Sequence, residues 1–251
     1  MKLIYPDFIA SHPNVTACFT TRHGGVSLPP YHSLNLAFHV EDNYKDVITN
    51  HTILASHLNY NHRNLVHMKQ IHSDIILEID GSHNFDTPPT CDAIITDRPN
   101  IPIMIMSADC TPILLYDTKN NAIGVVHAGR AGALSEILPK TIQKMSSSYG
   151  TDVNSLCLVL GPSIHGCCYE INETIAHTVE EKGYPNALLQ KNEKVFLDVN
   201  TILLQQLDIL GIPCANIEVI DHCTACQNDT YFSYRAHAQN TGRIAGIIML
   251  R

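Results

Sequence analysis

Three side chains stand out for the chemistry they can do together: His72, Cys110 and His127. Two imidazoles and one thiolate suit a zinc ion, which takes nitrogen and sulfur ligands tetrahedrally. Three protein ligands leave a fourth position open, the arrangement of catalytic rather than structural zinc sites. Such an ion lowers the pKa of a bound water to about 7 and supplies hydroxide near neutral pH. The set does not exclude copper, which also binds Cys and His. A metal-free scheme uses the same residues differently, with Cys110 as nucleophile and His127 as its base. In either scheme Asp109, beside Cys110, can orient the imidazole or carry a proton.

The elements that must position these residues follow from the apolar pattern. Cys110 and His127 each follow an apolar run, residues 101–106 and 122–126. Runs this rich in Ile and Val suit strands buried on both faces. A polar residue closing such a strand needs a partner, and two at the ends of neighbouring strands point to one shared site. His72 lies between a short strand expected at 66–68 and an apolar run at 75–79. Alone it reads as a structural histidine; with Cys110 and His127 it becomes the third ligand. The spacing predicts a helix over 42–58, a strand over 91–97, and a helix after Gly132 that Pro139 kinks or splits. A strand at 156–160 breaks at Gly161-Pro162. Helices follow at 171–182 and 195–210, the second stopped by Gly211 and Pro213, and strands at 217–220 and 242–250. With no repeat or linker in view, this order predicts one layered α/β domain.

The 251 residues carry a net charge of −8 and no Lys/Arg run, which excludes a nucleic-acid backbone as partner. A small anion needs only a few placed arginines. Arg22 beside the Gly24-Gly25 turn, Tyr234-Arg235 and Arg243 are anion-contact candidates, with surface positions as the plain alternative. No run approaches the roughly 18 apolar residues of a membrane span. Pro6 and Asp7 interrupt what would be a signal core, so the start reads as mature, cytoplasmic protein. The chain has 9 cysteines, and reduced thiols fit that setting better than a disulfide framework. Cys167-Cys168 is vicinal and poorly shaped for a mutual bridge. Cys223-Thr224-Ala225-Cys226 has Cys-x-x-Cys spacing, but a second such pair is missing.

Several ordered motifs resemble one known family. They are Thr21-Arg22-His23-Gly24-Gly25-Val26-Ser27, Ser33-Leu34-Asn35-Leu36, Gln70-Ile71-His72, Ala108-Asp109-Cys110 and Val126-His127-Ala128-Gly129. Gly161-Pro162, Cys168-Tyr169-Glu170, Phe232-Ser233-Tyr234-Arg235 and Thr241-Gly242-Arg243 continue the series. From about residue 15 to the end the chain is similar to the YfiH/YlmD family, the laccase-domain or polyphenol-oxidase-like family that includes human FAMIN. The resemblance implies a single α/β sandwich similar to cytotoxic necrotising factor deamidases, with catalytic zinc on His72, Cys110 and His127. It implies phosphorolysis of adenosine, inosine and methylthioadenosine, and hydrolytic deamination of adenosine. Substrate and phosphate would be held by Arg22, Asn35, Arg130 and Arg235. Older family descriptions give a copper-dependent polyphenol oxidase instead, and a bacterial branch implies an amidase editing a peptidoglycan precursor; a metal-binding protein without turnover is the non-enzymatic alternative. The oxidase needs many clustered histidines, and this chain has no His-x-His pair. The chain departs from the family at His127-Ala128-Gly129-Arg130-Ala131-Gly132, where an aromatic is gone and Arg130 sits one position early. It departs again at Tyr234-Arg235-Ala236-His237-Ala238.

Overall fold

The computed structural model describes residues 1–251, apart from the side chains at 9 and 10. In chain order the elements are β1 (Leu3–Ile4), β2 (Val15–Thr20), α1 (Tyr44–Leu58), β3 (Ile76–Glu78), β4 (Ala93–Thr96), β5 (Ile103–Ser107), β6 (Thr111–Asp117) and β7 (Ala122–Ala128). Then come α2 (Arg130–Leu134), α3 (Ile137–Tyr149), β8 (Leu156–Leu160), β9 (Glu170–Ile171), α4 (Glu173–Glu181), β10 (Leu188–Lys191), β11 (Lys194–Leu197), α5 (Val199–Ile209), β12 (Ile217–Val219) and β13 (Ile244–Leu250).

Two sheets stack between helices as four layers of one mixed α/β domain. A six-stranded mixed sheet runs β12-β8-β6-β7-β4-β3, and a four-stranded antiparallel sheet runs β1-β2-β13-β5. Strand alternation assigns each side chain to a layer. In β6, Leu114 and Tyr116 face the other sheet, where they meet Phe19, Ile105 and Ile248. Ile113 and Leu115 face the opposite way, against Ile142 and Met145 of α3 and Leu203 of α5. In β5, Ile103 and Ile105 point between the sheets, while Met104 and Met106 meet Leu54 and Leu58 of α1. Both faces of both sheets are therefore covered, which is why the central strands read as unbroken apolar runs rather than alternating ones. No helix among the described residues is long and apolar enough to cross a membrane.

The expected elements are present, with instructive differences. Residues 66–68 form no strand; Val66 makes an isolated bridge to Ile103. The helix after Gly132 is split, but at Ser135-Glu136, so that Pro139 lies in the first turn of α3, where a missing N–H costs nothing. The helix expected over 195–210 is a strand followed by a helix. Residues 194–197 pair with β10 and β9 in a small three-stranded sheet, and Asp198 caps α5 by accepting from the Thr201 amide. The β10–β11 hairpin turns at Asn192 and Glu193, both left-handed at φ 49° and 62°, the pattern of a type I′ turn. The helix expected over 171–182 loses Ile171 to β9.

β5 and β7 are not hydrogen-bonded neighbours. β5 pairs with β13 in one sheet, and β7 with β6 and β4 in the other. The link is β6, a strand the apolar pattern does not announce, because Pro112 sits in its second position. The short β5–β6 connection carries Cys110 from one sheet to the other. The ends of β5, β7 and β8 and the beginnings of β4, β6 and β13 all lie at one edge of the sandwich.

Candidate active site

That edge brings His72, Cys110 and His127 together. One ligand atom from each lies within 4.8 Å of the others, and Cys110 Sγ is 3.9 Å from His72 Nε2. His127 is the last residue but one of β7, buried at 4% exposure. Cys110 is half-buried and His72 is open to solvent. His72 and Asp109 both take left-handed backbone angles, φ 59° and 97°. Such angles are uncommon outside glycine and persist where the surroundings impose them.

The residue that imposes the turn at His72 is Asp92, which precedes β4 and is fully buried. Its carboxylate accepts from the amides of Ile71 at 3.2 Å, His72 at 3.0 Å and Ser73 at 2.6 Å, and from the Ser73 hydroxyl at 2.7 Å. It also takes His127 Nδ1 at 2.9 Å, which leaves Nε2 of that ring for an ion. Burial works to raise the Asp92 carboxyl, but the bonds from His127 and Ser73 outweigh it and hold the group well below the usual carboxylate range. Burial likewise works against the Cys110 thiolate, yet His127 and then His72 bring the thiol down to about 6. Burial works to lower His127 too, but the Cys110 thiolate and the Asp92 carboxylate together lift it to about 9. A divalent cation takes over the proton's place when thiolate and neutral imidazoles bind it. The donor set, the spacing and the carboxylate behind His127 all fit a divalent metal with an open position.

The three residues lie in the wall of a cavity of about 720 Å³, within the range of small-molecule sites. Arg130, Arg235 and Arg243 enter the same wall, together with Tyr169 and Tyr234. Arg235 is held over the Tyr169 ring at 5.2 Å and donates from both terminal nitrogens to the Glu170 carbonyl at 3.0 Å. Gln70 clamps the end of β5, donating to Met106 O at 2.8 Å and accepting from Met106 N at 2.9 Å. Asp109 lines the cavity, but both its carboxylate oxygens are engaged: one by the Thr224 hydroxyl at 2.7 Å, the other by the Arg235 amide at 2.7 Å.

Two expected contacts lie elsewhere. Arg22 is outside the cavity wall. Its guanidinium donates to the carbonyls of His32 at 2.9 Å and Asn228 at 2.6 Å and lies over Phe232 at 4.8 Å, so it ties the 22–33 loop to the C-terminal loop. Asn35 is fully buried; its amide donates to Ala37 O and Asp42 and accepts from the Ala37 and Arg243 amides. With every polar atom bonded inside the protein, it supports the start of β13 rather than facing a ligand. Arg243, an anion-contact candidate with a surface position as the plain alternative, lines the wall. Sequence reasoning missed Asp92 and His39, which also lines the cavity. Asp92 did leave a signal: an acid heading an apolar strand, where burial demands partners.

Gly129 shows how closely the site is packed. A Cβ there would lie 2.8 Å from Cys110 Sγ and 3.3 Å from His72 Cδ2. Its backbone is extended, φ −78° and ψ 178°, so alanine strains nothing locally and only pushes the Cys110 and His72 side chains. Gly129→Ala is expected to lower metal affinity by about 10-fold or more, the range for changes just outside the ligands, with little change in unfolding of the metal-free protein. Metal titration beside thermal unfolding reads both.

Residues 16–251 match the family model described as multi-copper polyphenol oxidoreductase laccase. A relative named purine nucleoside phosphorylase, from Corynebacterium glutamicum, is 35% identical over 240 residues, covering 94% of each chain. The purine nucleoside phosphorylase YfiH of Shigella flexneri is 32% identical over 251 residues, covering 99% of each. The crystal structure of a hypothetical YfiH protein from Bacillus licheniformis superposes with a TM-score of 0.90 at 32% identity, over 95% of this chain and 94% of that one. YlmD from Geobacillus stearothermophilus gives 0.90 at 27% identity, over 95% and 92%. A model match over almost the whole length and a shared fold lead to one conclusion: the chain belongs to the laccase-like YfiH/YlmD family.

Proposed function

We propose that this protein is a purine nucleoside phosphorylase, as the names of its relatives suggest, and that its metal is zinc. The observation that carries the reading is the cavity wall itself, where two imidazoles and a thiolate stand with three arginines. Zinc on His72, Cys110 and His127 would supply a Lewis acid with one open coordination position. Arg130, Arg235 and Arg243 bind and orient inorganic phosphate through charge-assisted hydrogen bonds. In the reaction a phosphate oxygen attacks the anomeric carbon of ribose as its bond to the purine nitrogen breaks. The electron pair leaves with the base, which takes up a proton, and ribose 1-phosphate remains. Asp109 is a positioning residue here, since its carboxylate fixes the Arg235 backbone and Thr224.

Hydrolytic deamination of adenosine is the second reading, favoured by the open position of a three-ligand set. There water adds at C6 of the purine and ammonia leaves. The polyphenol oxidase reading is weaker, because the metal-ligand groups among the described residues contain only two clustered histidines.

Metal-analysed protein incubated with adenosine or inosine, with and without phosphate, tests the proposal by chromatography. Free base and ribose 1-phosphate appearing only with phosphate is the expected result. Inosine formed from adenosine without phosphate hands the site to deamination, and no turnover of either nucleoside overturns both. Arg130→Ala is expected to raise the KM for phosphate by about 10–100-fold, the worth of one hydrogen bond to a charged group.

A further inference from the structure

The four cysteines that gave only weak signals in the sequence meet in space. Cys167 and Cys168 lie on the β8–β9 connection, and Cys223 and Cys226 on the β12–β13 connection. Their four sulfurs all lie within 4.8 Å of one another. Cys226 Sγ is 3.5 Å from Cys167 Sγ and 3.3 Å from Cys168 Sγ. Zinc–sulfur bonds of about 2.3 Å set tetrahedrally give sulfur–sulfur edges of roughly 3.8 Å. A disulfide needs roughly 2.05 Å and joins only two sulfurs, so it does not account for two sulfurs crowding a third. All four are free thiols here.

The loops are built to hold this cluster. Ser163 and Cys223 form a parallel bridge, with the Thr224 amide donating to Ser163 O at 3.0 Å and the Ser163 amide to His222 O at 3.3 Å. Metal binds the thiolate form of each cysteine, so the ligands are deprotonated when an ion is held. The vicinal pair thus supplies the second half that the Cys-x-x-Cys pair lacked.

We propose that Cys167, Cys168, Cys223 and Cys226 form a second metal centre that holds a zinc ion as a closed tetrathiolate. Four protein ligands leave no open position, so the centre is structural. On binding, the four thiols release their protons and the centre carries a net charge of −2. The ion staples two cavity loops together. Tyr169, which follows Cys168, lines the cavity, and Thr224, which follows Cys223, holds Asp109. The assignment does not depend on the nucleoside reading, and its test uses no turnover.

Elemental analysis of the intact purified protein is expected to find two zinc ions per chain. Cys110→Ala should retain one, and its cobalt-substituted form should show the intense sulfur-to-cobalt absorption of a tetrathiolate. Cys167→Ser combined with Cys226→Ser should retain only the ion at Cys110 and lose that absorption. If this double variant does not fold, Cys110→Ala alone decides. Folded, zinc-free Cys110→Ala protein that takes up no cobalt, or a disulfide among these four cysteines in the freshly purified chain, overturns the proposal.

Discussion

Cys110→Ala is expected to lower turnover by about 10³-fold or more while leaving the fold in place. The thiolate is the one anionic member of its ligand set, and its loss leaves two imidazoles to hold a divalent ion. A catalytic metal contributes several kcal/mol of transition-state stabilisation, and about 4 kcal/mol corresponds to roughly 10³ in rate. The fold should persist because Cys110 is half-buried on a connection whose backbone is anchored independently. The Ser107 hydroxyl donates to Cys110 O, and the Ile164 amide donates to Asp109 O at 2.8 Å. Unfolding of metal-free protein should therefore change by no more than about 1 kcal/mol. A chelator separates the two roles open to this thiol. If stripping the metal leaves wild-type turnover untouched while Cys110→Ala remains dead, the cysteine is a nucleophile and the metal mechanism fails. The expected outcome is that chelation and substitution give the same loss, and that zinc restores only the chelated wild type.

Asp92→Ala should do more damage than any ligand change, because it strikes the fold and the site together. Its carboxylate accepts from three successive amides, one hydroxyl and the His127 imidazole. A buried donor left unpaired costs about 1–3 kcal/mol, and breaking a buried pair about 3–5 kcal/mol. A loss of about 3–5 kcal/mol is then expected in denaturant unfolding, a large part of a typical total of about 5–15 kcal/mol. Asp92→Asn keeps the shape but offers one acceptor oxygen, so a smaller loss and a 10–100-fold drop in metal affinity are expected. The pH dependence has a definite sign. The folded carboxyl lies below its ordinary value of 3.8, so its stabilisation is present above that pH and is lost as pH falls toward the folded value. The gap between wild type and Asp92→Ala should hold from about pH 5 to 6.5, close in acid, and narrow again as pH rises toward about 9, because Asp92 also helps lift His127 from 6.5 to about 9. A gap that does not close in acid would mean that the carboxylate does not carry the stabilisation.

The ease of reading the chain varied from element to element for physical reasons. α1 was legible because Val47, Leu54 and Leu58 recur at helical spacing under one buried face. The strand at 194–197 was not, since Val195, Phe196 and Leu197 run straight into the apolar positions of α5 and only pairing with β10 separates them. β6 was hidden by Pro112, whose carbonyl accepts from the Gly161 amide at 2.8 Å while its ring nitrogen needs no partner. Among the candidate site residues, Arg130, Arg235 and Asp109 line the cavity wall, whereas Arg22 and Asn35 spend their polar atoms on backbone and neighbours.

By itself, the order of residues determined the donor chemistry at His72, Cys110 and His127, the apolar runs that demand cover on both faces, and the family motifs. These are properties of side-chain type and local period, and they survive without a third dimension. Tertiary structure alone decided that β5 and β7 belong to different sheets, that Asp92 stands behind His127, that Arg243 enters the wall, and that Cys167-Cys168 meets Cys223 and Cys226. Each of these depends on register and on how one sheet lies over the other, and residues more than 50 positions apart, as Cys168 and Cys226 are, carry no local mark of whether they will touch.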